Sequence, residues 1–119
     1  MPWDVVATDE FAEWYDTLET LQADAIDARV ELLATRGPTL GRPTVDRVEG
    51  STVHNLKELR VSAGGHLRVL FAFDAHRHIV LLLGGDKTGE WSEWYRRAIP
   101  VAEALLSDHL EGGDDEDLG

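Results

Sequence analysis

Three β-forming segments follow one another so closely that they can pair only as antiparallel hairpins. They span Val53 to Ser62, His66 to Asp74, and His78 to Leu83, the last continuing toward Lys87. The separators at 63–65 (Ala-Gly-Gly) and 75–77 (Ala-His-Arg) are too short for the crossover that parallel strands need. The run Ile79 to Leu83 has no polar face, which predicts the interior strand of a sheet.

Helical patterns precede and follow these strands. A short first strand is predicted over Trp3 to Thr8, after which Thr8 or Asp9 can cap a helix. Two patterns with helical spacing then predict a helical hairpin that stops at residues 37–38 (Gly-Pro), because proline cannot continue a helix. A loop is expected over 38–52.

A last helix is predicted over Ile99 to Leu110, with Pro100 in its first turn. The glycine and acidic residues of 111–119 predict a disordered tail after a single domain over 1–110. The order β-α-α-β-β-β-α indicates an α+β fold, in which a curved antiparallel sheet is covered on one face by the helical hairpin.

The distribution of charge is more informative than the net charge of −12. Residues 1–35 hold nine acidic residues and one basic residue, and 98–119 hold seven acidic residues and no basic one. Residues 36–97 hold seven acidic and ten basic residues, which leaves room for an anion site on one face. Without cysteine, neither a disulfide nor a thiolate metal site can form.

The longest apolar run is far shorter than a membrane helix, and no signal-like segment opens the sequence. We therefore expect a cytoplasmic protein with no membrane partner.

The first hairpin predicts a pair of arginines. A three-residue loop pairs Ser62 with His66, and the same register sets Arg60 opposite Arg68. Both side chains then point away from the apolar face that contains Leu59. Like charges opposed on a sheet are tolerated either beside an acid such as Glu58, in a structural cluster, or where an anion binds. Both alternatives remain open at this point.

Lys87 and an aromatic segment extend the candidate anion site. Lys87 follows residues 84–85 (Gly-Gly), whose missing side chains would let a ligand approach the backbone. Trp91, Tyr95 and Arg96 interleave rings with guanidinium groups, as single-stranded RNA recognition requires. The alternative is that the tryptophans pack the last helix onto the sheet.

The histidines indicate little by themselves. His54, near the basic strand, is a candidate general base or acid, although a solvated histidine at a strand end is the simpler interpretation. No pair of histidines has helical metal-ligand spacing supported by a third ligand, so no metal site is expected.

Taken together, the motifs resemble a known family. They are Leu56 to Arg60 (Leu-Lys-Glu-Leu-Arg), Arg68 to Asp74, Leu81 to Gly89, and a late helix with Ile99-Pro100. This combination is similar to the HigB-like, phage-derived branch of the RelE/ParE toxin superfamily. The chain departs from the superfamily in its acidic charge and in having one lysine, Lys87, in place of a doubled one.

The resemblance implies the toxin of a type II toxin–antitoxin system, a ribosome-dependent endonuclease that cuts mRNA without metal or cofactor. Its implied partners are a HigA-like helix-turn-helix antitoxin, the ribosome and mRNA. Two alternatives are a non-enzymatic, ParE-like gyrase poison and a decayed toxin that only binds its antitoxin.

The resemblance also suggests roles for residues in attack by a 2′-hydroxyl on the neighbouring phosphate. Arg60 and Arg68 would stabilise the charge on phosphorus, and Lys87 would add charge or donate the proton to the leaving group. The base would be Glu58, Lys57 or His54. The RNA-binding candidates are Lys57, Trp91, Tyr95 and Arg96, with Tyr95 a loose counterpart of the catalytic tyrosine of some branches.

Overall fold

The computed structural model describes residues 2–53, 55–86 and 91–118, with side chains as far as residue 112. Its elements are β1 (Asp4–Ala7), α1 (Asp9–Tyr15), α2 (Thr20–Arg36), a 3-10 turn (Gly37–Thr39), β2 (Val45–Arg47), β3 (Lys57–Ser62), β4 (His66–Phe73), β5 (His78–Asp86) and α3 (Trp91–Leu118). The predicted α+β class and the order of the main elements are confirmed.

The sheet has five strands in the order β1-β5-β4-β3-β2. It differs from the predicted antiparallel sheet in two respects. β1 pairs with β5 in parallel, which is possible because no hairpin connects these two strands and constrains their direction. The short β2, inside the predicted loop 38–52, pairs with β3 and buries Val45 opposite Leu59.

The predicted hairpin register is confirmed. Ser62 pairs with His66, and Arg60 pairs with Arg68. The turn between them uses Gly64 and Gly65 at φ +62° and +131°, a backbone region that favours glycine. β5, which contains the run Ile79 to Leu83, lies between β1 and β4, as an interior strand should.

Helices cover both faces of the sheet. On one face, β3 and β4 side chains such as Leu59 and Phe71 pack against Phe11 of α1 and Ile26 and Leu33 of α2. The second core lies on the other face and joins the sheet to α3 through Leu70, Ala72, Val80, Leu82, Ala98, Ala102 and Leu106. The helical hairpin is therefore where the sequence predicts it, and α3 occupies the face to which Arg60 and Arg68 belong.

The start of α3 corrects the sequence prediction. The helix begins at Trp91 rather than Ile99, so Pro100 lies inside it and not in its first turn. An interior proline costs a helix about 3 kcal/mol. The aromatic side chains of the first turns compensate, because Trp94 and Tyr95 belong to the core between α3 and the sheet. The helix also continues past Leu110 to Leu118, through most of the predicted tail.

The start of α1 and the end of α2 lie where the sequence predicts them. Thr8 is the N-cap of α1, where its hydroxyl accepts a hydrogen bond from the Phe11 amide at 3.0 Å. The same hydroxyl donates to the carbonyl of Leu82 at 2.7 Å, which ties the start of α1 to β5. α2 ends at Arg36, immediately before Gly37. Among the described residues, no helix is both long enough and apolar enough to cross a membrane.

Candidate functional site

Glu58 is the centre of the candidate site. It is a buried charged residue on β3, with only 4% of its surface exposed. Its Oε2 accepts a hydrogen bond from Arg60 Nε at 2.8 Å and lies 3.4 Å from Arg68 Nε. One carboxylate thus neutralises part of the charge of two arginines that the strand register places side by side.

Arg68 is the more enclosed of the two arginines. Its side chain is 17% exposed, whereas that of Arg60 is 41% exposed. Nη1 donates to the carbonyl of Leu67 at 3.2 Å, and the guanidinium carbon lies 5.0 Å from the centre of the Trp91 ring, in cation–π contact. Within the described part of the chain, Arg68 Nε is buried and has no hydrogen-bond acceptor, since its contact with Glu58 is electrostatic only.

Tyr95 connects α3 to this centre. Its hydroxyl donates to Glu58 Oε1 and Oε2 at 3.0 and 3.1 Å. Burial and the negative charge of Glu58 raise the pKa of Tyr95 above its ordinary value, so the side chain is a neutral phenol at physiological pH. The hydrogen bond to Glu58 also raises the pKa of Arg60, which stays charged.

An open depression of about 370 Å³ lies beside these groups. It is lined by Asp46, Arg47, Glu49, Glu58, Arg60 and Tyr95. Because its lining carries both signs of charge, it is not the purely cationic anion site that an unpaired arginine couple would make. Arg47 and Arg60 are the cations of this lining, and Arg60 also contacts Asp46 at 3.4 Å.

The structure therefore contains features of both alternatives that the sequence left open. The two arginines lie side by side on one face, as an anion site requires. They also share Glu58, as the structural cluster requires. The two alternatives are compatible if an arriving phosphate takes over guanidinium contacts that Glu58 holds in the free protein.

Several predicted site residues are not part of this cluster. Lys57 precedes Glu58 on β3, and the alternation of the strand places it on the opposite face, with Leu59. Arg96 points to solvent and pairs with Glu93 one turn earlier on α3. His54 and Lys87 lie outside the described residues.

The glycines before Lys87 have a different role from the predicted one. A Cβ atom on Gly84 would overlap the ring of Trp14, and one on Gly85 would overlap the ring of Trp94. The space that was expected to admit a ligand is thus filled by two tryptophans. Trp14 Nε1 also donates to Asp86 at 2.7 Å, at the end of β5.

Asp46 belongs to the site, although its sequence position did not predict this. It lies on β2, within the segment predicted as a loop, and it contacts both Arg42 and Arg60. Its neighbours carried a weak signal, because the sequence Val45-Asp46-Arg47 alternates one apolar residue with charged ones. Three residues are too few for such an alternation to predict a strand.

Comparison with known sequences identifies relatives over nearly the whole chain. Residues 13–107 match the family model described as phage-derived protein Gp49-like (DUF891). HigB3 of Mycobacterium tuberculosis, named as a toxin, is 46% identical over 113 residues, which are 91% of this chain and 98% of HigB3. HigB2 of the same organism, also named as a toxin, is 37% identical over 109 residues, 90% of this chain and 54% of HigB2.

Solved structures share the fold. A doubly substituted E. coli toxin RelE in the free state has a TM-score of 0.62 and 10% identity, covering 84% of this chain and 97% of RelE. The RelBE2 toxin–antitoxin complex of Mycobacterium tuberculosis has a TM-score of 0.56 and 16% identity, covering 73% of this chain and 100% of the matched chain. The archaeal RelE–RelB complex from Pyrococcus horikoshii has a TM-score of 0.55 and 16% identity, covering 76% of this chain and 100% of the matched chain.

At these identities the solved structures establish a RelE-like fold alone, whereas the family match and the relatives establish descent. The chain belongs to the phage-derived Gp49-like family (DUF891), and its homologues include proteins named as HigB toxins.

Proposed function

We propose that this chain is the toxin of a type II toxin–antitoxin pair and that it cleaves mRNA on the ribosome. The first half is supported by the relatives named as HigB toxins and by the RelE-like fold. The observation that carries the second half is the pairing of Arg60 with Arg68 across β3 and β4, beside an open depression. Two adjacent guanidinium groups match the charge of a phosphodiester that passes through a pentacoordinate transition state.

The proposed reaction is transesterification within the RNA. The 2′-oxygen forms a bond to phosphorus while the bond to the 5′-oxygen breaks, which leaves a 2′,3′-cyclic phosphate and a 5′-hydroxyl end. Glu58 accepts the proton of the 2′-hydroxyl, and Lys87 is the candidate donor to the departing 5′-oxygen. No metal takes part in this scheme, in which every charge on the phosphate is met by a side chain.

Binding must rearrange the contacts of Glu58 before it acts as a base. In the free protein its oxygens receive Arg60 and Tyr95, and Arg68 lies near Oε2. A phosphate between the two arginines would draw the guanidinium groups toward itself and release Oε2. Tyr95 would then hold Glu58 in position, and the ribosome would orient the RNA, which supplies a proximity effect that so shallow a site lacks.

The test is primer extension on cellular mRNA after induction of the protein without its antitoxin. The wild-type chain should produce new 5′ ends within translated frames. Replacing one group that stabilises the transition state typically lowers the rate by about 100-fold or more, so Arg60→Ala should remove most of these ends. Arg29→Ala, an exposed arginine on α2, is the matched control and should cut like the wild type.

Arg60→Lys separates chemistry from folding, because it keeps a cation beside Glu58 but loses the planar fork of donors. We expect this variant to fold, as judged by circular dichroism, and still to cleave poorly. Growth arrest with intact messages and DNA damage signalling would overturn the nuclease proposal in favour of a gyrase poison.

A second candidate function rests on the acid that both arginines share. If Glu58 never releases them, the protein is a decayed toxin that retains only antitoxin binding. Harmless expression in the absence of any antitoxin, with a folded product, would support this candidate over the nuclease.

The expected partner is a helix-turn-helix antitoxin of the HigA type. Two of the solved neighbours are complexes of a toxin with its antitoxin, which supports an antitoxin partner in general. The proposal also places the protein in the cytoplasm, where the ribosome and mRNA are. Co-expression with a HigA-like helix-turn-helix protein, followed by co-purification, tests the partner directly.

A further inference from the structure

A cluster of two histidines and one aspartate lies away from the candidate RNA site. Asp74 follows β4, His78 opens β5, and His109 is on α3. His78 Nδ1 and His109 Nε2 lie 2.8 and 2.9 Å from the same oxygen of Asp74, Oδ2. The sequence predicted no metal site because His109 is 31 positions from its nearest partner here, and only the packing of α3 brings it there.

The carboxylate of Asp74 is held in a fixed orientation. Its other oxygen, Oδ1, accepts the backbone N–H groups of His76 and His78, both at 2.9 Å. Its side chain is 3% exposed, whereas those of His78 and His109 are 33% and 27% exposed. Oδ2 is thus buried and aimed at two imidazoles that solvent can still reach.

The three candidate ligand atoms lie within 4.8 Å of one another. Imidazole nitrogen and carboxylate oxygen bind Zn²⁺ at about 2.0 to 2.2 Å, so tetrahedral ligand atoms are separated by about 3.3 Å. Here the oxygen–nitrogen separations are 2.8 and 2.9 Å. A metal would therefore have to widen these two oxygen–nitrogen separations by a few tenths of an ångström, which two partly exposed histidines permit, and water would complete the coordination.

We propose that Asp74, His78 and His109 bind a divalent transition metal of the Zn²⁺ class, which fastens α3 to the β4–β5 hairpin. Each imidazole carries its proton on the other ring nitrogen when its lone pair faces the metal. Metal binding therefore requires the tautomer opposite to the one that donates to Asp74. The cluster can also exist without metal, as two imidazole N–H groups donating to Asp74, and the experiment must separate these two states.

The proposed metal site is independent of the proposed nuclease. His109 lies 14 residues after Tyr95 on the same helix, which corresponds to about 21 Å along its axis. The metal would contact no group of the candidate RNA site. Its test consequently needs no activity measurement, and failure of one proposal does not affect the other.

The test uses the full, untagged chain after treatment with a chelator. Isothermal titration with ZnCl₂ should show one equivalent bound. For a Kd of about 10 µM, about 100 µM Zn²⁺ should raise Tm by roughly 5 °C. CoCl₂ should produce a visible absorption band of the intensity typical of four-coordinate Co²⁺.

Three variants assign the site. His109→Ala and His78→Ala should abolish the Tm shift and the cobalt band. His66→Ala, an exposed histidine on the other hairpin, should retain both and is the matched control. If wild-type Tm does not respond to Zn²⁺ while His109→Ala is less stable than wild type, the cluster is a hydrogen-bonded clamp only. A full response in His109→Ala would equally overturn the proposal, because the metal would then bind elsewhere.

Discussion

At the scale of single residues, Glu58 has the greatest influence on the candidate site. It is buried, accepts hydrogen bonds from Arg60 and Tyr95, and lies 3.4 Å from Arg68 Nε. Its local position could be predicted, because strand alternation places it on the arginine face. Its bond to Tyr95 could not, since residues 37 positions apart meet only after α3 packs on the sheet.

Replacing Glu58 by glutamine should destabilise the protein. The amide cannot neutralise Arg60 and Arg68, so part of their charge is left buried and uncompensated. Removing one partner of such a cluster reduces the free energy of unfolding by about 3 kcal/mol. Chemical denaturation measures this loss, and Glu49→Gln, exposed on the same depression, should change stability by less than about 0.5 kcal/mol. Equal stabilities of the two variants would contradict the prediction.

The two tyrosines provide a pH test at the same scale. Burial and Glu58 raise the pKa of Tyr95, and a hydrogen bond to Asp27 raises that of Tyr15, in both cases above 10.0. Because both folded pKa values exceed the unfolded ones, the associated stability is complete below about pH 10 and is lost as pH rises through the folded values.

Absorbance at 295 nm should therefore show tyrosinate appearing at higher pH in the folded protein than in the denatured chain. Tyr95→Phe and Tyr15→Phe assign the two contributions. A tyrosine that ionises below pH 10 in the folded protein would contradict the contacts described here.

At the scale of elements, α3 depends on tight contact between its aromatic first turns and β5. Trp94 lies directly over Gly85, and its ring also contacts Trp91 and Tyr95, with centroids 5.2 and 5.0 Å apart. These contacts explain why the helix begins ahead of Pro100. The sequence shows the proline, which suggested a later start for the helix. It does not show the contact between Gly85 and Trp94, because these residues are on different elements.

Gly85→Ala should disrupt this contact. Its methyl group would overlap the Trp94 ring, and overpacking of this kind costs about 1 to 3 kcal/mol. Gly41→Ala is the matched control, since a Cβ at Gly41 meets no atom within 4 Å. Thermal denaturation compares the two variants, and Gly85→Ala combined with Trp94→Leu should recover part of the loss. A Gly85→Ala protein as stable as wild type would show that α3 does not rest on β5 in this way.

At the scale of the whole molecule, repulsion among acidic groups opposes folding. The chain carries a net charge of −12, which lies in the segments that form the helical hairpin and α3, while the charges of the five strands cancel. The acidic helices repel one another across the molecule. The proposed RNA site at Arg60 and Arg68 must therefore act over a short range, within about one Debye length of these side chains.

Raising NaCl from about 0.05 to 0.5 M should therefore raise Tm by a few degrees, because salt screens the repulsion among acidic groups. Binding of a short single-stranded RNA should weaken over the same range, since it depends on cations. Scanning calorimetry and fluorescence anisotropy measure the two effects. A Tm that falls with added salt would indicate that attraction, not repulsion, dominates the surface.

The sequence by itself determined the strand order within the two hairpins and the pairing of Arg60 with Arg68, and it limited the cap of the first helix to Thr8 or Asp9. Each of these depends on neighbours a few residues apart, where loop length and side-chain alternation leave one arrangement. Only the tertiary structure decided that Tyr95 binds Glu58, that tryptophans cover Gly84 and Gly85, and that His109 reaches Asp74. Those contacts join distant segments, and they arise because α3 and the helical hairpin must each bury an apolar side against the same sheet.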